Sequence, residues 1–445
     1  MRMPAVAYSV GAWSKGVVLC LLIPIIIVTG LLIAWSDDLG VASVPSVEEY
    51  TQIQNHKDNL HILIVGGGAA GMSAAYTLDY LGINYTLLEA SSQLGGRVRD
   101  THDFLDVPID LGAEWIHTDP RILQDLLLYE NDRATVATTV DILNYRPQTY
   151  SIYARGDLRR RNYFRFFYQE YKFVNTTWAS YFRNFIMPYI EERVVYNAVV
   201  NRIEYRSSDN KDGESTNAAA VQVSTVDGQQ YTGSHVIVAT PVTILQDRDI
   251  EFIPNLPNYK WNAIDGVDMV PGSKVWLDLD PERASLADVE FGGRVVEDEE
   301  RMFFNAVFRK PSAHRVACYF HVSPDAGAET GGGFKPDAQE RQDIDNALAE
   351  YVLNYWRKLH GSDPPIKQVL VENWSQEPFI RGAYSWNYDD IDTSALRRPV
   401  DQLVYFAGEH MGGDHVATVH GAAITGRVAV RRILNHVVSE QMSER

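Results

Sequence analysis

His61-Ile-Leu-Ile-Val-Gly-Gly-Gly-Ala-Ala-Gly71, running on into Met72-Ser-Ala-Ala-Tyr-Thr-Leu-Asp-Tyr-Leu81, decides the fold class of this 445-residue chain. His61 to Val65 is a short apolar run suited to a strand buried on both faces of a parallel sheet. The block after the glycines is rich in small and apolar residues and reads as a helix. Asn84-Tyr-Thr-Leu-Leu-Glu89 gives a second strand, so about thirty residues form one βαβ unit. Gly66, Gly68 and Gly71 make a G-x-G-x-x-G turn between strand and helix. Such glycines permit the tight turn, the close approach of a pyrophosphate and the packing of helix on strand. The helix N-terminus then faces the phosphates. Glu89 ends the second strand, where a carboxylate holds ribose hydroxyls.

A second stretch of this kind lies more than 300 residues later, at Tyr405-Phe-Ala-Gly-Glu-His-Met-Gly-Gly-Asp-His-Val-Ala-Thr-Val-His-Gly-Ala-Ala-Ile-Thr-Gly426. It reads as a strand, a loop and the start of a helix. Glu409 sits at the strand's end, and Gly408, Gly412, Gly413, Gly421 and Ala422 let a flat ligand approach the backbone. Two such turns at opposite ends of one chain point to a single large dinucleotide held by both, FAD rather than NAD. Leu94-Gly-Gly-Arg-Val-Arg99 adds a turn at Gly95 and Gly96, with Arg97 able to pair with a phosphate. Asp110-Leu-Gly-Ala-Glu-Trp-Ile-His117 combines small residues, which pack on a flat ring, with a polar tip at His117.

These signals predict a two-domain α/β flavoprotein of Rossmann type. Its FAD-binding domain is discontinuous over 59–120, 191–251 and 371–436. A sheet-plus-helix substrate domain is inserted at 121–190 and 252–370. Residues 121–190 read as mainly helical, and the basic-aromatic patch Arg155 to Phe173 as an amphipathic surface helix. Val275 to Leu279, Arg301 to Arg309 and Arg315 to Ser323 alternate like antiparallel strands. Asp343 to Leu359 is a helix, and Val369 to Trp374 begins the return to the nucleotide-binding domain. A polar tail, 437–445, ends the chain.

With 45% hydrophobic and 22% charged residues, the chain can fill a large core. Its net charge of −18 disfavours nucleic acid and favours cationic partners. Only Cys20 and Cys318 occur, which excludes a Cys-rich metal site. His410, His415 and His420 lack the spacing of a helical metal pair, so no metal is expected. After a short tail, 1–16, Gly16 to Trp35 is free of charge and spans roughly 30 Å as a helix. A transmembrane signal anchor is therefore expected at 17–35, followed by a linker, 36–58. Arg2 and Lys15 precede it and Asp37-Asp38 follow it, which puts the N-terminus in the cytosol and the body on the lumenal or extracellular side. The rival is a cleaved signal peptide and a secreted body, with Val41-Ala42-Ser43 as the cleavage region. Sequons occur at Asn84, Asn175 and Asn373.

The blocks at 66–71 with Glu89, 95–97, 112–117, Asn197 to Ile203, Trp374 to Ser385 and 408–422 stand in one order. Together they resemble the flavin-containing amine oxidases, nearest the polyamine and spermine oxidase group, over about 60 to 435. The resemblance implies an FAD-dependent oxidase that takes a hydride from an amine carbon to flavin N5. The product imine hydrolyses to an aldehyde, and dioxygen reoxidises the flavin to give hydrogen peroxide. It implies that Glu89 holds the adenosine ribose, Arg97 the pyrophosphate, Val200 the adenine, Glu409 the ribityl-phosphate region and Val419 the pyrimidine side. Gly66, Gly68, Gly71, Gly96, Gly112, Ala113, Glu114, Trp115, Trp374 and Gly408 complete the cofactor set. Lys274, Tyr384, Thr418 and His117 are the residues implied to act at the reaction. Lys274 matches a lysine joined through water to N5, and His117 a histidine near the substrate amine. Ala383 stands where some monoamine oxidases carry a flavin-linking cysteine, so non-covalent FAD is expected. Thr418 replaces one of the two rings that flank the flavin in those enzymes, which favours a polyamine donor. Two alternatives stay open: a flavoenzyme for an L-amino acid or an isoprenoid or porphyrin-type donor, with Arg381 available to a carboxylate, and a membrane-tethered flavoprotein subunit with little turnover.

Overall fold

The computed structural model describes residues 57–145, 149–154, 157–162, 170–206, 220–284, 295–296, 301–322, 326–327, 337–386 and 392–443. The expected membrane span, 17–35, lies outside the described residues. Among these, no helix is long and apolar enough to cross a membrane.

A five-stranded parallel sheet anchors the molecule. Its order is Val194–Val195, Asn84–Leu88, His61–Val65, His235–Val238 and Val404–Phe406. Ile62, Leu63 and Ile64 are fully buried, as an apolar run with no polar face requires. His61–Val65 is flanked by the strand that follows it and by one from far along the chain. The sheet therefore has its switch point at the carboxyl end of this strand, where the Gly66–Gly71 turn begins. Helix Ala69–Tyr80 packs down because Gly71 has no side chain: a Cβ there would stand 1.9 Å from the Gly66 carbonyl oxygen. The last helix, Val419–Ser443, crosses it in the same way. A Cβ on Gly426 would lie 2.1 Å from the carbonyl oxygen of Ala70.

A four-stranded sheet, Gln230–Gly233, Val221–Thr225, Val200–Tyr205 and Glu251–Ile253, shares a core with the parallel sheet through Leu63, Val236, Phe406, Ile203 and Val223. The third large layer has seven strands. Their order is Ile366–Asn373, Gly272–Leu279, Arg315–Val322, Met302–Asn305, Val295–Val296, Thr149–Ala154 and Asp157–Asn162. Helix Ala338–His360 covers one face, starting in a capping box of Asp337 and Glu340 and ending at left-handed Gly361. Strand Gly272–Leu279 divides its side chains by parity. Val275, Leu277 and Leu279 pack with Tyr355 and Trp356 of that helix. Trp276, on the opposite face, packs with Leu111, Phe304 and Trp374. Lys274 shares the parity of Trp276, so it is carried toward the dinucleotide-binding part.

Two expectations change. Arg155 to Phe173 is not a helix where it is described: Asp157–Asn162 is the edge strand of the seven-stranded sheet and Tyr171–Phe173 a short strand beside Trp115–Ile116. Pairing with Thr149–Ala154 outweighs the local helical pattern, and an edge strand tolerates a charged run. Ile366–Asn373 does not return to the nucleotide-binding sheet; it pairs antiparallel with Gly272–Leu279, and the parallel sheet resumes only at Val404. The helices of 121–190 pack elsewhere than its strands. Tyr181 donates to the Leu123 carbonyl, the Leu128 amide donates to Tyr76 of the first helix, and Arg427 of the last helix donates to the Asp125 carbonyl.

The helix crossing predicts that Gly426→Val is destabilising by about 3 kcal/mol or more, because backbone meets backbone and neither side can yield. Thermal unfolding of the FAD-loaded protein checks this. Gly82→Ala, at a position with open space, is the control and is expected to lose about 1 kcal/mol.

Candidate active site

A cavity of about 950 Å³ opens at the carboxyl ends of strands His61–Val65 and Asn84–Leu88. That is at the top of the roughly 300–1,000 Å³ range of small-molecule sites. It runs from the Gly66–Ala70 turn, past Arg97 and Glu409, to a chamber walled by the seven-stranded sheet. Of the residues expected at the site, only Gly71 lies outside the lining, because its role is to pack helix on turn.

At one end, Glu89 is buried beneath the glycine turn. Its Oε2 accepts from the Gly67 amide at 2.7 Å, and its Oε1 accepts from the Ser91 amide and hydroxyl, both at 2.8 Å. Ser91 was not expected, although it lies two residues past the acid. Gly68 leads into the first helix, and no side chain caps its amides. A Cβ on Gly68 would meet only the Gly95 carbonyl, at 4.0 Å, so it would project into the cavity. Bare backbone at a helix N-terminus beside a buried carboxylate is the donor and acceptor set that a pyrophosphate and a ribose require. Gly96 and Val200 complete this end of the lining.

In the middle, Arg97 and Glu409 meet. The guanidinium Nη1 donates to Glu409 Oε1 and to the Ala383 carbonyl, each at 2.9 Å. Glu409 Oε2 accepts from the Ser385 hydroxyl at 2.5 Å and from the Ala417 amide at 3.2 Å. Burial pushes the Glu409 carboxyl up, but Arg97, His410 and the Ser385 hydrogen bond more than reverse it, so its pKa is lowered. The sequence suggested separate positions for these two residues along the cofactor, whereas the fold makes them one pair. Ser385, which closes the Trp374 to Ser385 block, had no role implied by the sequence. Gly408 sits in the same lining, its amide bonded to the Thr425 hydroxyl at 3.0 Å. Thr418 lines the cavity too, but its hydroxyl donates to the His415 carbonyl at 2.6 Å and accepts from the Gly421 amide at 3.0 Å. It caps the last helix, which begins at Val419. Its contribution to the chamber is small size rather than an available hydroxyl.

On the sheet side, the Lys274 ammonium donates to the Gly112 carbonyl at 2.7 Å and to Glu114 Oε2 at 3.0 Å. Burial lowers the Lys274 pKa, yet Glu114, with Cys318 and Asp110, outweighs this and raises it. Burial acts upward on Glu114, and Lys172, Lys274 and Lys310 together bring it down to about 2. Lys172, buried on Glu114, left no trace in the sequence: nothing in Tyr171-Lys-Phe173 distinguishes an inward lysine. Ala113 and Trp115 flank Glu114 in the lining. Trp374 donates its indole N–H to the Leu111 carbonyl at 3.2 Å, and Arg99 lies 5.0 Å over its ring. The Tyr384 ring faces Trp386 at 6.3 Å. His117 is exposed at the rim. Nearby His420 is brought down to about 3 by burial and by His415 and His117, and His410 down to about 4 mainly by burial. Among the described residues no group of His, Cys, Asp or Glu side chains is arranged to hold a metal ion.

Two features bear on the alternatives. Arg381 forks onto Asp247 and Asp249. That removes the cation an amino-acid carboxylate would have used. Ala383 precedes Tyr384, and Cys318 is buried outside the lining, so among the described residues no cysteine lines the cavity.

Glu372 gives a pH prediction. It is the register partner of Lys274 on the neighbouring strand and forms an ion pair with Arg99, yet burial pushes it up to about 7, with Arg99 only partly opposing. A folded pKa above the unfolded value, near 4.5, means that stability is full below the unfolded value and is lost as pH rises toward about 7. Glu372→Gln escapes this loss. Its Tm relative to the native chain is expected to rise by about 2 °C or more between about pH 5 and about pH 8. A constant difference across that range would contradict the buried-carboxylate account.

The comparisons agree with this geometry. Residues 189–434, more than half of the chain, match the family model for flavin containing amine oxidoreductase. Residues 64–128 match an NAD(P)-binding Rossmann-like domain. Probable polyamine oxidase 4 of Arabidopsis thaliana is 22% identical, over 86% of this chain and 88% of its own. Polyamine oxidase 2 of the same plant is 26% identical over 83% and 86%, and polyamine oxidase 1 of Zea mays 24% identical over 84% and 90%. With a pyrophosphate cradle at one end of its cavity and no cysteine among the described residues of its lining, the chain belongs to the flavin-containing amine oxidoreductases and works with non-covalent FAD.

Proposed function

We propose that this protein is a polyamine oxidase, taking a hydride from an amine carbon to flavin N5 and passing the electrons to dioxygen to give hydrogen peroxide, while water hydrolyses the resulting imine to an aldehyde and a shorter amine. The observation that carries this reading is the continuity of the cavity. The glycine turn and Glu89 hold one end, and the other opens to Lys274, Tyr384, Thr418 and His117, with the carboxylates of Glu170 and Asp414 also on the lining. Acidic groups on the walls and a net charge of −18 suit a polycation. The relatives named for polyamines support the same donor class.

FAD, when bound, accepts the hydride and returns the electrons to dioxygen. The protein's part is to bind, orient and keep the chamber dry. Glu89 is assigned the adenosine ribose, the Gly66–Gly71 turn and Arg97 the pyrophosphate, Val200 the adenine, and Glu409 and Val419 the flavin half. The Tyr384 wall and the buried Trp374 lower the local polarity, which favours the neutral amine needed for transfer. Lys274 enters as a fixed cation on Gly112 and Glu114, and His117 as a polar group at the rim.

Localisation is part of the proposal. Gly16 to Trp35 anchors the chain with the N-terminus cytosolic and the body lumenal or extracellular, or the segment is cleaved and the body secreted. Protease digestion of sealed vesicles carrying a tagged body tests it: protection or secretion is expected, and cytosolic exposure overturns it.

Peroxide release from spermine, spermidine, their acetylated forms and monoamines tests the activity. Turnover of a polyamine is expected. Reduction by L-amino acids and not by amines would move the donor class, and FAD that no donor reduces would favour a subunit with little turnover. Thr418→Tyr narrows the chamber and is expected to lower the ratio of polyamine to monoamine kcat/KM by about tenfold. An unchanged ratio would detach Thr418 from specificity.

A further inference from the structure

Behind the cavity wall lies a group of buried charges that the proposed reaction does not use directly. Lys172 is 2% exposed, and its ammonium stands 4.7 Å from the Trp115 ring centre, 4.8 Å from Phe304 and 5.2 Å from Tyr145. Three aromatic walls around a cation form a box that attracts positive charge. The box is closed by Glu114, whose Oε1 forms an ion pair with Lys172. The backbone fixes this meeting, because Lys172 and Trp115 are register partners on adjacent strands. The second oxygen of Glu114, Oε2, receives Lys274 at 3.0 Å, and Lys274 also reaches the Gly112 carbonyl at 2.7 Å. Gly112, Glu114, Trp115 and Lys274 all line the cavity, whereas Lys172 lies one layer behind.

A carboxylate with one partner can rotate; a carboxylate held at both oxygens cannot. Burying a long cationic side chain has a large desolvation cost, and the box and the ion pair offset it here. The arrangement therefore has a defined geometric output: the position of Lys274.

We propose that Lys172 is a positioning residue for Lys274. By holding one oxygen of Glu114 inside the aromatic box, it aims the other at Lys274 and pins the Lys274 ammonium on the Gly112 carbonyl at the flavin cavity wall. Lys274 is then a fixed positive charge and not a proton acceptor. Its raised pKa agrees with this, with Asp110, Glu114 and Cys318 also facing it. The kinetic half of the inference rests on the amine-oxidase reading above; the electrostatic half needs only bound FAD.

A double-mutant cycle separates positioning from mere structural support. Lys172→Met, Lys274→Met and the double variant are prepared as FAD-loaded proteins. The flavin absorption spectrum and the midpoint potential are measured by reductive titration with dithionite, without amine. Both single variants are expected to change the spectrum and to lower the potential, and the double variant to match Lys274→Met alone. In stopped flow, flavin reduction by saturating spermine is expected to slow by about tenfold or more in Lys172→Met, with amine affinity little changed. Shifts that add in the double variant would mean that Lys172 acts independently of Lys274, and would overturn the proposal. So would a native spectrum and potential in Lys172→Met. If Lys172→Met does not fold, Lys172→Gln takes its place in the cycle with the same expectations. Because the potential is read without amine, inactivity toward every amine would sink the proposed function and leave this cycle decisive on its own.

Discussion

The ion pair between Arg97 and Glu409 joins residues 312 positions apart, and the site is organised around it. Arg97 belongs to the turn after the second strand, and Glu409 follows the last strand of the same parallel sheet. Through Ala383, Ser385 and Ala417, the pair also fixes the segment leading to Tyr384 and the one leading to Thr418. Three distant stretches thus meet at two side chains. Removing one member of such a pair leaves the other charge without its partner, at a cost of about 3–5 kcal/mol where burial is complete. Arg97 keeps 21% of its side chain exposed, so its share is smaller.

Around this node, two sheets of different character divide the work. The parallel sheet delivers its loops to one edge, because every strand points the same way. The seven-stranded sheet delivers a face. Parity along Gly272–Leu279 sends Val275 and Leu277 under a helix and turns Lys274 and Trp276 toward the cavity. The cofactor end is therefore built mainly from backbone amides and glycines, and the chamber end from side chains on a rigid strand.

Charges near the cavity are held in pairs. Arg97 is on Glu409, Arg99 on Glu372 and Glu377, Arg381 on Asp247 and Asp249, and Lys274 on Glu114. Each pair limits how a side chain can move. Arg381 shows the functional consequence: as a sequence feature it was available to an anionic substrate, but as a structural one it is already bound to two carboxylates.

The sequence by itself determined the nucleotide-binding unit, because its signals are local: an apolar strand, glycines at fixed offsets and an acid at the next strand's end. It also marked much of the cavity lining in ordered blocks from 66 to 422, but not wall residues such as Ile244, Met302, Phe320 and Val322. What it left undecided depends on contacts between distant segments. The strand pairing of Asp157–Asn162, the place of Ile366–Asn373 in the seven-stranded sheet and the commitment of the Thr418 hydroxyl to a helix cap are all settled by neighbours far along the chain or by the turn they close. The clearest case is Lys172. It falls in the patch that reads as an amphipathic surface helix, and only the tertiary structure supplies the three rings and the carboxylate that make its burial tolerable. Burial of a charge depends on what surrounds it in space, and that is decided by the packing of strands and not by the order of residues within them.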